Sequence, residues 1–450
     1  MFNKTITAIA TANGGNGGVG IIRISGDDAI AIANKIFKGV PLTTVESHKM
    51  HLGKIVLNNR IVDEVLVCVY KSPNSYTGED VVEINCHGGV QVCRVVLGAV
   101  IESGATFAEA GEFTHRAFLN GKLDLTQAEA VADIINAQTN DAVTVAASQL
   151  SGTLSHRTSE IREQLLSTSA HLLATLDFSE EGVEDLPYDD LKETIMDAKR
   201  QITELLSTAD DGRIIKDGVN VAIIGAPNVG KSSLLNAISG EDRAIVTDIA
   251  GTTRDVLEAH INIRGCKVNL LDTAGIRSSE DVVERLGVER SLNALDKADL
   301  VFLVLDGSRP LTNEDLEIID LARDKNIICL INKCDLPQIK LEIPHFEHII
   351  HVSATSGGGL DELFSIIASR YSRGELASNK PIITNERHKE CLIRANGFLD
   401  NIISSMNHFA PVDLVLGDIE LAIVTLGEIS GMTVSDEIID NIFSNFCVGK

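Results

Sequence analysis

The segment Gly225-Ala-Pro-Asn-Val-Gly-Lys-Ser232 constrains this chain more than any other stretch. It follows an apolar run, Val219–Ile224, and precedes a helix-like run at residues 233–238. A strand, a glycine loop and a helix in this order are the context of a phosphate-binding loop. Two glycines let the backbone turn tightly, so that successive N–H groups face phosphate oxygens, and the helix adds its positive dipole end. Lys231 can reach the outer phosphates and the Ser232 hydroxyl can ligate Mg²⁺.

A chance glycine turn is the alternative, and four further motifs in GTPase order disfavour it. Gly251-Thr-Thr-Arg-Asp255 resembles a switch segment, in which Thr253 can give Mg²⁺ a second hydroxyl ligand. An apolar run at residues 268–271 ends in Asp272-Thr-Ala-Gly275. Asp272 can hold Mg²⁺ through water, and Gly275 can offer its N–H to the γ-phosphate.

The last two motifs identify the base. Asn332-Lys-Cys-Asp335 follows a strand-like run, and the Asp335 carboxylate can accept two N–H bonds that guanine supplies and adenine does not. Ser353 and Ala354 then fit the loop that backs the base. Strands alternating with helices predict a doubly wound α/β sheet with the ligand at the strand ends, and the ordered motifs predict that this ligand is GTP.

The hydrolytic machinery departs from the usual pattern. Many GTPases place a water-orienting glutamine directly after Asp-x-x-Gly, and here that position is Ile276. Another group must position water, or hydrolysis is slow. The charged residues nearby are Arg254, Arg277, Glu284 and Arg285. From the residues alone, a solvated switch side chain is the favoured interpretation of each.

Length, charge and cysteine content limit the number of domains and the classes of function that this chain can have. At 450 residues about three domains are expected. The net charge of −25, from 39 basic and 64 acidic residues, argues against a broad surface that coats nucleic acid. No apolar run approaches the ~20 residues of a membrane span, and the first residues do not resemble a signal peptide. Eight scattered cysteines without a CxxC pair favour reduced thiols over zinc, and we expect a cytoplasmic protein.

The sequence pattern on either side of the GTP-binding part differs from the pattern within it. Up to about residue 120, short β-like runs alternate with glycine turns and helical patterns, which predicts an α+β domain. From Leu123, helical spacing dominates, at residues 125–146, 154–176 and 191–206, and it returns after residue 375. Because neither helical part looks able to form a stable domain alone, we expect one α-helical bundle that is split by an inserted α/β domain.

Some residues of the first part invite a functional interpretation. Cys86 and His87 are neighbours in a strand-like run, so their side chains point to opposite faces and are poorly placed as nucleophile and base. Arg23 and Glu83 also lie in β-like runs. For these two, ligand binding and a solvent-facing role stay equally open on the residues alone.

Taken together, the motifs resemble the MnmE/TrmE family of tRNA uridine-modifying GTPases over essentially the whole chain. The phosphate-binding loop alone is shared with many GTPases, and the combination with the other segments is specific. Those segments are Gly17-Gly-Val-Gly-Ile-Ile-Arg23, Tyr76-Thr-Gly-Glu-Asp80, Gly111-Glu-Phe-Thr-x-Arg116, residues 117–124, Asp248-Ile-Ala-Gly-Thr-Thr-Arg-Asp255 and Cys447-Val-Gly-Lys450.

The resemblance implies a first domain that binds a tetrahydrofolate derivative, 5-formyl- or 5,10-methylene-tetrahydrofolate, and forms a homodimer. The positions that match the family's folate contacts are Arg23, Glu83, Lys122 and Lys450. Charge pairing and hydrogen bonding suit a ligand with a glutamyl carboxylate and a pterin ring. Cys447 matches the family's thiol needed for tRNA modification; without the resemblance, a cysteine without a role is the default interpretation.

For the nucleotide domain, the resemblance implies a potassium ion. Its ligands would be Asn228, Thr247, Ile249 and Thr252, and a fixed cation beside the β- and γ-phosphates can stabilise transition-state charge as an arginine finger does. Glu284 matches the residue that orients the attacking water. In the family, K⁺ and GTP bring two nucleotide domains face to face, which activates hydrolysis.

The implied reaction adds an aminomethyl or carboxymethylaminomethyl group to C5 of the wobble uridine, U34. The partners would be tRNA and the FAD- and NADH-using MnmG (GidA) protein, in a heterotetramer. GTP hydrolysis would drive the conformational cycle rather than the carbon chemistry.

These inferences give four domain spans and one set of nucleotide contacts. The spans are residues 1–120 for folate binding and dimerisation, 121–217 for the first helical part, 218–372 for the GTPase domain and 373–450 for the second helical part. The residues assigned to GTP binding are Asn228, Val229, Gly230, Lys231, Ser232, Ser233, Thr247, Asp248, Ile249, Ala250, Gly251, Thr252, Thr253, Asp272, Thr273, Ala274, Gly275, Asn332, Lys333, Asp335, Ser353 and Ala354.

Two rival functions stay open. A ribosome-assembly GTPase shares the asparagine-containing loop and the hydrophobic residue after Asp-x-x-Gly, but it usually carries a basic RNA-binding module. A folate-dependent aminomethyltransferase with a regulatory GTPase is the second rival. Ribosome co-sedimentation with GTP analogues would favour the first rival, and aminomethyl transfer without a partner would favour the second.

Overall fold

The computed structural model describes residues 4–11, 17–177, 187–240, 259–271, 295–371, 381–408 and 412–450. The chain forms two compact units. The first comprises Met1–Ile135, Ala147–Ile202 and Glu390–Lys450, and the second comprises Asn136–Ala146 and Thr203–Lys389. Along the sequence, the second unit is inserted into the first. Because compactness gives two units rather than four, the four domain spans stay a prediction.

The first unit contains a seven-stranded sheet. Its strands are β1 (Ile6–Ile9), β2 (Val19–Ser25), β3 (Phe37–Lys38), β4 (Met50–Leu57), β5 (Arg60–Tyr70), β6 (Val81–His87) and β7 (Thr106–Phe107). The spatial order is β3-β4-β5-β6-β2-β1-β7. Every neighbouring pair is antiparallel except β1 with β7.

One face of this sheet is covered by two helices, α1 (Ala29–Ile36) and α2 (Val90–Glu102). Alternate strand residues such as Ile22, Ile84 and Val67 pack there and form a buried core with side chains of both helices. Because side chains alternate between the faces, the intervening residues Arg23 and Glu83 lie on the opposite face. The predicted α+β domain is confirmed.

The remaining described helices form the helical parts and flank the second sheet. They are α3 (Glu112–Leu119), α4 (Leu125–Asn136), α5 (Asn140–Leu150), α6 (Thr153–Asp177), α7 (Tyr188–Leu206), α8 (Ala209–Asp217), α9 (Lys231–Gly240), α10 (Asn313–Leu321), α11 (Leu360–Tyr371), α12 (Glu386–Asn407), α13 (Val412–Ser430) and α14 (Asp436–Ser444).

Helices from before and after the insertion pack together in the first unit, as a split bundle requires. Helix α6 packs along α13, and α3 packs against α14. In the second contact the rings of His115 and Phe443 stack with their centroids 4.6 Å apart. Leu125 and Ile439 extend the same apolar cluster. The cluster therefore joins segments that are more than 300 residues apart in sequence.

The helical prediction differs from the structure in two places. The predicted helix over residues 125–146 is two helices, because Thr139 interrupts the pattern and its hydroxyl accepts a hydrogen bond from the Ala142 N–H at the start of α5. That geometry is an N-cap. Helix α8 was not predicted; it carries Asp210 and Asp211 in its first turn and ends at Gly218, whose φ is +92°.

The second unit is built on a six-stranded sheet. Its strands are β8 (Val219–Ile224), β9 (Ala259–Ile263), β10 (Cys266–Leu271), β11 (Leu300–Asp306), β12 (Ile327–Asn332) and β13 (His348–His351), in the order β13-β12-β11-β8-β10-β9. All neighbours are parallel except β9 and β10. Apolar clusters cover both faces, which confirms the doubly wound sheet.

The edge strand β9 was not predicted. It forms a hairpin with β10 through Arg264 and Gly265, whose φ angles are +49° and +91°. Two positive φ angles are typical of the tight turn that joins antiparallel strands. The Arg-Gly pair was the available sequence signal. None of the helices in the described ranges is long and apolar enough to cross a membrane.

Candidate functional site

The phosphate-binding loop joins the end of β8 to the start of α9. Gly230 has a φ of +96°, and a Cβ atom there would lie 2.3 Å from Nδ2 of Asn332. Only glycine satisfies both constraints. Asn228 also has a positive φ, +62°, a conformation that asparagine adopts more readily than most residues. The loop backbone is therefore shaped by the sequence as the motif predicts.

Lys231 is the first residue of α9, and its side chain turns back over the loop. Its Nζ donates to the carbonyl oxygens of Gly225, at 2.7 Å, and Ala226, at 2.9 Å. Burial lowers the pKa of Lys231, although the negative charges of Asp315 and Glu314 oppose that effect. The loop carbonyls thus hold the ammonium group beside the backbone that would contact phosphates.

Asn332 ties the guanine-recognition loop to its neighbours. Its side chain is buried, donates from Nδ2 to the Val229 carbonyl at 2.8 Å, and accepts at Oδ1 from the Ala354 N–H at 3.1 Å. The Ser353 hydroxyl donates to Oδ1 of Asp335 at 2.6 Å. Asp335 itself is exposed, so its carboxylate is oriented and accessible. The structure brings the three predicted segments together at one edge of the sheet.

Sequence reasoning missed Asp306, which lies at the end of β11 beside this loop. Its Oδ2 lies 2.6 Å from Nζ of Lys333, which has a φ of +65°. Burial alone would raise the pKa of Asp306, but hydrogen bonds from Lys333 and Ser308 outweigh it and lower that pKa. The available signal was an acidic residue directly after six apolar ones, Leu300 to Leu305.

The switch residues lie outside the described residues. This applies to the predicted GTP, Mg²⁺ and K⁺ contacts of the switch loop and of the segment after β10, to the water-orienting residue, and to the neighbouring candidates for that role. They are Thr247, Asp248, Ile249, Ala250, Gly251, Thr252, Thr253, Arg254, Asp272, Thr273, Ala274, Gly275, Ile276, Arg277, Glu284 and Arg285. Their assignments stay predictions.

A second group of polar side chains lies on the open face of the first sheet, which is the face that α1 and α2 do not cover. Arg23 and Glu83 are register partners on β2 and β6, and Oε1 of Glu83 lies 2.8 Å from Nη2 and 2.9 Å from Nε of Arg23. The hydroxyl of Tyr70 donates to Oε2 of Glu83 at 3.4 Å. Burial raises the pKa of Tyr70, so this hydroxyl stays protonated and remains a donor.

Two aromatic rings flank the arginine, and neither was among the predicted ligand residues. The guanidinium carbon of Arg23 lies 5.2 Å from the ring centroid of Tyr76 and 5.7 Å from that of Phe113. Both distances are in the range of cation–π contacts. Their presence in the motif segments at residues 76–80 and 111–116 was the available signal. The site therefore offers a charged pair beside flat apolar surfaces.

The segment at residues 447–450 lies against this site. The carbonyl of Gly449 accepts from Nη1 of Arg23 at 3.5 Å, and the carbonyl of Lys450 accepts from the Phe113 N–H at 3.2 Å. A Cβ on Gly449, whose φ is +97°, would lie 2.3 Å from the Ile9 carbonyl oxygen. Cys447 is exposed. The structure thus places the predicted thiol segment next to the predicted ligand residues.

Lys122, another predicted ligand residue, lies in the loop between α3 and α4, and no contact among the described residues joins it to Arg23 or Glu83. Its Nζ donates to the Pro73 carbonyl at 3.1 Å, three residues from Tyr76, and its side chain is otherwise exposed. Cys86 and His87 behave as the strand geometry predicts, because Cys86 is buried while His87 is exposed and hydrogen-bonded to Asp63. No nucleophile–base pair forms between these neighbours.

Comparison with known proteins places these features in one family. The model of the TrmE N-terminus, described as a GTP-binding protein, matches residues 5–122. The model of the MnmE helical domain matches residues 125–447. Together the two models account for nearly all of the chain.

Full-length relatives agree. The protein named tRNA modification GTPase MnmE from Clostridioides difficile (strain 630) is 46% identical over 459 residues, with both chains covered completely. The protein of the same name from Alkaliphilus oremlandii (strain OhILAs) is 48% identical over 464 residues, again covering both completely. A solved structure of Aquifex aeolicus Era bound to GDP·AlF4⁻ is 28% identical over 40% of this chain and 65% of its own. Its TM-score of 0.26 is too low to carry an argument. From the two family models and the relatives that match from end to end, the chain belongs to the MnmE family and is a GTP-hydrolysing enzyme.

Proposed function

We propose that this chain is the GTP-hydrolysing subunit of a complex that modifies tRNA at C5 of the wobble uridine, U34. The group added is aminomethyl or carboxymethylaminomethyl, and its carbon comes from a tetrahydrofolate derivative. The observation that carries this proposal is the contact between the Arg23–Glu83 pair and residues 447–450 on the first unit. A GTPase switch alone has no use for such a second site.

The chemistry of the second site fits a folate. The Glu83 carboxylate can accept from the amino and ring N–H groups of a pterin, and Arg23 and Lys122 can pair with carboxylates. The rings of Tyr76 and Phe113 offer apolar surface beside these charges. Binding sites for small molecules combine apolar walls with a few placed polar groups in this way. When bound, the folate supplies the one-carbon unit.

The nucleotide site uses the chain's own groups in defined roles. Lys231 would leave its loop carbonyls for the phosphates, Ser232 and Thr253 would hold Mg²⁺, and Asp335 would select guanine. Asn228, which is exposed and has a positive φ, would hold K⁺ together with Thr247, Ile249 and Thr252. Such a cation would supply positive charge beside the negative charge that develops during hydrolysis. Glu284 orients the attacking water in place of the missing glutamine.

A homodimer would form through the first unit. The open face of its sheet carries exposed apolar residues on adjacent strands, with Met50 52% exposed and the register partners Leu52 and Leu66 at 64% and 42%. Contiguous apolar surface of this kind is typical of interfaces. A second copy of the chain is the occupant we propose for it.

The tRNA would be shared with a partner protein. A net charge of −25 is a poor match for a long phosphate backbone, so most of the electrostatic contact would come from elsewhere. The FAD-dependent MnmG (GidA) protein is the partner we propose, in a heterotetramer with two copies of this chain. Hydrolysis of GTP would change the conformation of that complex rather than form a carbon bond.

Calorimetric titration of the full chain with 5-formyl-tetrahydrofolate tests the first part of the proposal. We expect one saturable site per chain, whose heat disappears in Arg23→Gln. Steady-state hydrolysis in K⁺ and in Na⁺ tests the second part, with a clear excess rate in K⁺ expected. Absence of folate binding to the intact chain would remove the one-carbon role, whatever the GTPase result.

A further inference from the structure

Asp306 ends the most thoroughly buried strand of the second unit. All seven residues of β11 are buried, and Asp306 is 5% exposed. A carboxylate that is removed from water needs compensating charge and hydrogen bonds. Its position at the carboxyl end of a central parallel strand is the edge at which such sheets bind ligands.

The two carboxylate oxygens have different partners. Oδ1 accepts from the Ser308 N–H at 2.9 Å and from the Ser308 hydroxyl at 2.6 Å, which fixes the carboxylate within its own turn. Oδ2 lies 2.6 Å from Nζ of Lys333 in the guanine-recognition loop. Ser308 therefore orients the carboxylate, and the carboxylate forms an ion pair with Lys333 in the guanine-recognition loop.

Backbone bonds join the same two loops. The Gly307 N–H donates to the Asn332 carbonyl at 3.0 Å, and the Ile339 N–H donates to the Gly307 carbonyl at 2.9 Å. A Cβ at Gly307 would lie 2.2 Å from Oε1 of Gln338 and 2.8 Å from Cγ2 of Ile331, so the turn packs closely against the end of β12 and the loop that follows it. These contacts hold residues 306–308 and 332–339 as one body.

Lys333 needs such support. Its φ of +65° is a left-handed conformation, which is sterically unfavourable for an L-residue. Lysine side chains also carry large rotamer entropy, which binding would otherwise have to remove. The ion pair with Asp306 fixes the ammonium end in advance, so the methylene stem has a defined path across the loop.

We propose that Asp306 is a positioning residue for guanine nucleotides, which holds Lys333 so that its methylene stem lies against the face of the base. This inference rests on the proposed GTP site. Asp306 touches neither base nor phosphate and acts through Lys333. Arg309 extends the same network. Its Nε lies 3.8 Å from Oδ2 of Asp306, and its Nη1 lies 2.7 Å from Oδ2 of Asp315.

The test is a double-mutant cycle on the full chain with a fluorescent GDP analogue. Asp306→Asn keeps the size of the side chain and removes the charge, and we expect the dissociation constants of GDP and GTP to rise together by about 10-fold. The hydrolysis rate at saturating GTP should stay within about 2-fold of the wild-type rate, because the affinities for the ground state and for the transition state fall equally. Asp320→Asn is the matched control, since Asp320 is exposed and pairs with the exposed Arg323 on the same domain.

Lys333→Met preserves the stem and removes the ammonium group, so it closes the cycle. If Asp306 acts through Lys333, then Asp306→Asn has no further effect on affinity in the Lys333→Met background. Additive effects would overturn the inference and leave Asp306 as a structural anchor. Normal GDP affinity of Lys333→Met would also overturn the inference, because the stem would then need no ion pair to hold it. Normal GDP affinity of Asp335→Ala would instead contradict the proposed guanine loop itself.

Ser308→Ala covers the case in which Asp306→Asn does not fold. It leaves the carboxylate charge in place and removes one bond that orients it. We expect a smaller loss of GDP affinity, about 3-fold, without a change in the melting temperature of the nucleotide domain. Unchanged affinity for GDP in Ser308→Ala would contradict the positioning role.

Discussion

Arg23 and Glu83 lie directly opposite each other on neighbouring antiparallel strands, and their side chains meet 2.8 Å apart on the open face of the sheet. Their side chains are 14% and 19% exposed, so the charges are largely removed from water. A pair of this kind is costly to break and has polar atoms left for a ligand. It therefore links the stability of the first unit to its proposed ligand site.

Substitution of either partner should affect both properties. Arg23→Gln leaves the Glu83 carboxylate without its cation, and we expect the free energy of unfolding to fall by about 1.5–3 kcal/mol. Affinity for 5-formyl-tetrahydrofolate should fall by at least about 10-fold. Calorimetry and urea unfolding measure the two effects. Lys54→Gln is the control, because Lys54 is exposed on the same sheet opposite Glu64; an equal loss of folate affinity there would contradict a specific role for Arg23.

Lys231→Ala should abolish GTP binding. The ammonium group already lies within the loop, so its removal deletes charge-assisted bonds to phosphate that are worth about 1.5–3 kcal/mol each. We expect the dissociation constant of GTP to rise by at least about 100-fold in a filter-binding or fluorescence assay. Lys325→Ala, at an exposed pair with Asp296, should bind normally. Retained affinity in Lys231→Ala would show that this lysine does not contact phosphate.

Asn228 can be tested with two variants because its φ is positive. Asn228→Gly removes the side chain and keeps the backbone conformation at little steric cost, whereas Asn228→Ala adds strain of about 1 kcal/mol. If the side chain binds K⁺, hydrolysis by either variant should be equal in K⁺ and Na⁺. A K⁺ response that survives in Asn228→Gly rules out this ligand, whatever the alanine variant does.

Glu284→Ala should separate binding from hydrolysis. Because the residue is assigned to the attacking water rather than to the nucleotide, GTP affinity should be unchanged while single-turnover hydrolysis slows by about 100-fold or more. Glu289→Ala, five residues along the same charged segment, is the control. Full hydrolytic activity of Glu284→Ala would return the water-positioning role to the other charged residues of the switch.

Local pattern predicted a nucleotide site from residues that act through backbone shape, and their contacts with the nucleotide stay a prediction. Gly230, Lys231 and Asn332 occupy places that the strand–loop–helix and strand–loop orders dictate, and the structure has them together. Asp306 escaped prediction because its role depends on a contact with Lys333, 27 residues away, across two parallel strands. Periodicity shows that a strand is buried and does not show which loop its last residue meets.

The second site shows the limit of sequence reasoning more clearly. The residues alone left Arg23 and Glu83 undecided, because a strand pattern does not reveal which face a helix covers. Pairing of β2 with β6 depends on contacts about 60 residues apart, such as Arg23 with Glu83, and pairing of residues 447–450 with the region of Gly111 depends on contacts more than 300 residues apart. The resemblance to a family predicts a ligand role for this pair, which the residues alone leave open.

The most direct test of the account is mass spectrometry of tRNA nucleosides from cells that lack this chain. We expect C5-aminomethyl-type wobble uridines to disappear, to return with the wild-type chain or with Val448→Ala, and not to return with Cys447→Ser. GTP hydrolysis by purified Cys447→Ser should be normal, since the thiol lies in the first unit. Persistence of the modified uridines without the chain would contradict the account and favour a GTP switch in ribosome assembly.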